Sequence, residues 1–171
     1  TVRFDMDSDI LQVDVDDRRI AAPPMETHLR PLRAGSQYVP GERPQTNPVL
    51  TPGENATHVV TGKHVATSIL SINGDPSLHQ LVRESEYRCE SHVALRLSGK
   101  EGSAGFDHFA DLCLRANPGP GNSTVTIASA AGTDSAETCR ALLDKAQAET
   151  AEAFRARCEK WWGNFWETAP Y

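Results

Sequence analysis

The sequence predicts a mainly β protein, an antiparallel β-sandwich followed by one long C-terminal amphipathic α-helix. Three observations carry that expectation. Six or so short segments are rich in β-branched residues, Gly, Pro, Asn and Asp cluster between them, and apolar spacing changes to three and four residues after Gly132. No helical pattern separates the strand segments, which argues against a parallel sheet. The chain has 171 residues, 39% hydrophobic and 23% charged, enough for one sizeable core. The expected division is a β-sandwich domain over 1–131, incomplete by itself, and a linker helix with an aromatic end over 132–171.

Val2 to Met6 and Ile10 to Val15 read as a hairpin turning at Asp7-Ser8-Asp9. Met25 to Leu32 is a further strand candidate. Pro40, Gly41, Pro44, Pro48, Pro52 and Gly53 rule out a continuous ladder over 38–55, so Gly35 to Asn55 is expected to be a long loop available for binding. Strands are expected at Thr57 to Thr61, Ala66 to Ile72, Ser91 to Leu97 and Ser123 to Ser129. Asp134 then suits a helix N-cap with Glu137 at N3, and no Gly or Pro follows until Gly163. Cys139, Leu142, Leu143, Ala146, Phe154, Cys158, Trp161, Trp162 and Phe165 share one stripe, and Asp134 to Trp166 would span about 50 Å as a single helix.

Composition excludes some partners. A net charge of −6 offers no basic face for nucleic acid. No apolar run approaches the roughly 20 residues of a membrane-spanning helix. Asn55-Ala56-Thr57 and Asn122-Ser123-Thr124 are glycosylation sequons, which favours a secreted glycoprotein. Cys89, Cys113, Cys139 and Cys158 fit two disulfides in such a compartment. On one straight helix Cys139 and Cys158 would lie roughly 28 Å apart, so each is expected to pair with Cys89 or Cys113, or to stay a thiol.

Candidate chemistry is sparse. Asp5, Asp7, Asp9 and Asp16 imitate calcium-loop spacing, but Ile10 replaces the turn glycine and no helix precedes them, so a solvated hairpin is expected. His28, His58, His64, His79, His92 and His108 show no paired metal spacing and read as isolated side chains. Neither Asp107-His108 nor Glu84 with Glu86 establishes a catalytic pair. Serine-hydrolase, phosphate-loop and dinucleotide motifs are missing. No catalytic residue, cofactor or metal is expected. The most specific segment is Lys160-Trp161-Trp162-Gly163-Asn164-Phe165-Trp166, which holds all three tryptophans. Its rings at i,i+4 spacing suit packing on a neighbouring domain, and sugar stacking is the other use of such rings.

The strand Thr124 to Ser129, the small-residue turn to Asp134, the amphipathic helix and the W-W-x-x-F-W ending resemble the junction of inverting glycoside hydrolases. Those enzymes join an N-terminal β-sandwich to an (α/α)6 barrel, and the α-L-fucosidase-like group is the nearest parallel. The resemblance covers about Ser123 to Tyr171. Arg157 to Lys160 stand where that group has a His, and Gly163 is expected to interrupt the helix inside the aromatic motif. The resemblance implies a non-catalytic sandwich and linker that scaffold a barrel, where the acid and base carboxylates lie. It also implies a carbohydrate substrate, and a partner surface on the rest of a longer polypeptide or on another chain. A free-standing carbohydrate-binding or adhesion module is the alternative.

Overall fold

A computed structural model describes residues 1–21, 23–30, 49–51, 56–61, 64–72, 75–83, 88–106 and 112–169. The strands over 49–72 and positions 82, 83, 88 and 89 are described by backbone alone.

The N-terminal hairpin forms as expected. Val2–Asp5 (β1) pairs antiparallel with Ile10–Asp17 (β2), with Phe4 opposite Leu11. Asp9 takes a positive φ of 48° in the turn, a region that Asp tolerates better than most residues. Met25–Leu29 (β3) is followed by Val49–Thr51 (β4), Ala56–Thr61 (β5), His64–Ile72 (β6) and Asp75–Arg83 (β7). Arg88–Ser98 (β8), Gly102–Phe106 (β9), Leu112–Ala116 (β10) and Gly121–Ala131 (β11) complete the strands.

Eight strands form one sheet in the order β1-β2-β11-β8-β7-β6-β5-β4, and three form another in the order β3-β10-β9. All pairs are antiparallel. The β8-to-β4 half is a run of neighbours in sequence. The other half is not: β11 inserts between β2 and β8, opposing Val125 to Val13 on one side and to Leu97 on the other.

The helical region differs from expectation. Two helices, Ser135–Ala148 (α1) and Ala151–Thr168 (α2), replace the single long one. Glu149 and Thr150 are extended between them, and the Thr150 side chain caps α2 by accepting from Ala153 N at 3.2 Å. A local cap therefore overrides an apolar stripe that runs through the junction. Gly163 does not interrupt anything, for it lies inside α2. Asp134 sits at the N-cap of α1 as expected, without a side-chain capping bond.

Successive strand residues face opposite sides, so β8 and β11 carry two separate cores. On one face Ala94 and Ala128 pack against Cys139 and Leu143 of α1. On the other, Leu95 and Val125 meet Leu114 of β10. Ile10, Ala146, Phe154 and Cys158 form a third buried group beneath the helix junction, which Leu142 joins to the first. Helices thus cover one side of the β1-β2-β11-β8 half of the large sheet, and the small sheet contacts β6, β7 and β8.

Candidate functional site

Two places gather chemistry-bearing side chains: the seam under α1 and the aromatic end of α2.

In the seam, His79 and His92 are direct cross-strand partners on β7 and β8, and their rings stack at 4.3 Å with a 12° interplanar angle. The reading of these two as isolated histidines is corrected by that pairing. Short side chains around them let α1 approach. Ser135, the first residue of α1 and fully buried, shares a 2.8 Å hydrogen bond with His92 Nδ1. His79 Nε2 lies 3.3 Å from Glu90 Oε2. Burial, with His79 alongside, pushes His92 down to about 4, so the ring is neutral at physiological pH. The Cys139 thiol donates weakly to the carbonyls of His92 and Ala128, at 3.4 and 3.6 Å, and burial pushes it up to about 11.

Arg96 closes the far end of the seam. Its guanidinium grips Asp75 through two bonds of 2.9 and 2.6 Å and reaches Gln147 at 2.8 Å and Asp144 at 2.9 Å on α1. A Ser–His pair near acids is the raw material of nucleophilic catalysis, but space decides against it. The cleft lined by His92, Ser77, Asp75, Cys139 and Arg140 holds about 20 Å³, room for roughly one water. A groove of about 190 Å³ lined by Asp75, Arg96 and Lys100 as well as by Leu95, Leu97 and Leu114 also falls short of the ~300 Å³ that ordinary ligand pockets reach. The seam is a clamp that seats α1 on the sheet.

The acids of the first hairpin divide. Asp7 and Asp9 are exposed, whereas Asp5 is fully buried. Asp5 accepts from the Ser8 hydroxyl, from Asp7 N at 3.2 Å and from Arg157 of α2. Arg157 also donates to Glu149 at 2.6 Å and lies over the Phe154 ring at 5.2 Å. The expectation of a wholly solvated hairpin is corrected here: Asp5 fastens α2 to β1.

At the other end of α2, Trp161 stacks on Phe165 at 5.4 Å and 10°, and Trp162 on Trp166 at 6.4 Å and 24°. Edge contacts between Trp161 and Trp162, at 4.9 Å, and between Phe165 and Trp166, at 5.0 Å, knit the four rings together. The i,i+4 geometry of a helix dictates this arrangement. After Cys158 no residue of α2 is buried; Phe165 is 40% exposed and Trp166 57%.

Of the remaining expectations, Asn122 is exposed at the start of β11, and Asn55 lies outside the described residues. So do Asp107, His108, Glu84, Glu86 and nearly all of the loop from Gly35, with β4 its described part. Cys139 and Cys158 fall on different helices as buried free thiols, and no disulfide is formed among the described residues. The side chain of Cys89 is not among those described, and Cys113 is buried on β10 beside His28. Sequence spacing could not have joined His79 to His92 or Asp5 to Arg157, since strand register and helix docking bring them together. The chain matches no known protein family, no curated protein and no solved structure.

Proposed function

We propose that this chain is the non-catalytic sandwich and helical arm of a secreted glycoside hydrolase, scaffolding an (α/α)6 barrel that cleaves glycosidic bonds. One observation carries the reading: α2 ends in four packed aromatic rings, none of them buried among the described residues. Large apolar patches of this kind on soluble proteins mark contact surfaces. In this reading the two packed sheets form a sandwich, and the rings seat on the barrel. Asn122, exposed at the start of β11, and Asn55 would carry glycans.

Among the described residues, the clefts under α1 and between the sheets are too small for an oligosaccharide, which supports placing the two catalytic carboxylates elsewhere. Rings already stacked on one another have spent much of their faces, which favours protein packing over sugar stacking.

The test joins two measurements. The intact, reduced mass of the protein from its native source should exceed this chain by several hundred residues. Tryptophan emission of this chain should not respond to oligosaccharides. A native mass near 18.6 kDa with saturable, sugar-dependent quenching would overturn the proposal in favour of a free-standing carbohydrate-binding module.

A further inference from the structure

The three-stranded sheet carries a polar cluster on the face turned away from the large sheet. Leu114 lies in the core with Leu95 and Val125, so its neighbours Cys113 and Arg115 take the opposite face of β10, where Arg115 is part-exposed and Cys113 is covered and fully buried. Strand register does the rest. Cys113 lies directly opposite His28, and Arg115 opposite Glu26, and directly paired residues project to one side. Gly105 stands opposite Cys113 on β9.

We propose that Glu26 Oε2, His28 Nε2 and Cys113 Sγ form a three-ligand site for a borderline divalent cation, zinc foremost. The three donor atoms lie within 4.8 Å of one another. Tetrahedral zinc, with bonds of about 2.3 Å to sulfur and about 2.0–2.1 Å to nitrogen and oxygen, sets N···S near ~3.6 Å and N···O near ~3.4 Å. The observed separations are 3.7 Å from His28 Nε2 to Cys113 Sγ and 3.2 Å from His28 Nε2 to Glu26 Oε2. Both separations that involve His28 therefore stand almost at coordination spacing, and Glu26 Oε2 and Cys113 Sγ lie within 4.8 Å of each other.

Arg115 positions the set. Its Nε donates to Glu26 Oε1 at 2.8 Å, which fixes the carboxylate and turns Oε2 toward His28. Arg115, and His28 beside it, hold the Glu26 carboxyl below its usual range, so it is ionised at neutral pH. A thiolate with an imidazole selects zinc or cobalt over calcium and magnesium, which prefer oxygen alone. Binding displaces the Cys113 thiol proton to solvent, so affinity falls on acidification. Dication, carboxylate and thiolate sum to zero, and Arg115 adds a positive charge.

Cobalt(II) is the probe, titrated into the full chain purified without reductant at neutral pH. One equivalent should produce a thiolate-to-cobalt charge-transfer band in the near ultraviolet and tetrahedral d–d bands in the visible, both bleached by zinc. Cys113→Ser should abolish the charge-transfer band while circular dichroism stays unchanged, and His28→Gln should weaken zinc binding by more than about tenfold. Should Cys113→Ser fail to fold, His28→Gln and Glu26→Gln carry the test, because both leave the thiol in place. The proposal is overturned by the absence of a charge-transfer band, by its persistence in Cys113→Ser, or by a spectrum of weak octahedral binding alone. A Cys113 disulfide in the chain purified without reductant overturns it equally.

Discussion

Among the described residues, His92 is one through which pH acts on folding. Its folded-state value is depressed to about 4 from an ordinary 6.5, because burial next to His79 disfavours the charged ring. The unfolded chain therefore takes up a proton below about pH 6.5 that the folded chain refuses until about pH 4. Stability contributed by the neutral ring is complete above that window and is lost as pH falls through it, by about 2–3 kcal/mol. Urea midpoints measured across the window should slope downward in the native protein. In a His92→Gln variant that slope should largely flatten, and equal slopes would show that other groups dominate acid unfolding. Asp5 teaches a related lesson at the same scale. From sequence it reads as one of several hairpin acids, yet it alone is fully buried, because Arg157 arrives from a helix far along the chain to neutralise it.

Strand segments with β-branched alternation, such as β2, β6, β8 and β11, were legible in the sequence because their own residues advertise a two-sided sheet position. β7, β9 and β10 were not. Pro76 stands near the start of β7, β9 is Gly-Ser-Ala-Gly-Phe, and β10 buries Leu112, Cys113 and Leu114 in succession, so none alternates cleanly. Their state is set by partners rather than by local preference. The helix break at Glu149 and Thr150 was missed for a different reason: a threonine cap leaves no gap in apolar spacing. Thr150→Ala should cost about 1 kcal/mol in thermal or urea unfolding. An unchanged midpoint would assign the junction to the Arg157–Glu149 contact instead. Further along α2, a Cβ added at Gly163 would meet nothing within 4 Å. Gly163→Ala should therefore stabilise the protein by about 0.5–1 kcal/mol, and destabilisation would mean that α2 is not helical there in solution.

At the scale of the whole molecule, the packed core and the aromatic end of α2 should respond differently to truncation. Trp166→Ala should leave urea stability within about 0.5 kcal/mol of the parent, as surface changes do, while lowering the binding of a hydrophobic dye. A loss of ~3–5 kcal/mol, typical of emptied cores, would place the rings inside the fold of this chain. The aromatic cluster was readable from sequence because its four rings lie within one short segment. The clamp under α1 was not, since it is assembled from β7, β8 and α1. The insertion of β11 between β2 and β8 also sets an order of events in time. β4 to β8 can zip as successive hairpins, each closing a short loop. The β1–β2 hairpin must wait for a strand roughly a hundred residues later, a slow, long-range closure. On the ribosome, β2 would leave the exit tunnel with a bare edge and keep it until β11 is made. Chaperone capture and strand mispairing should therefore concentrate on the first seventeen residues of this chain.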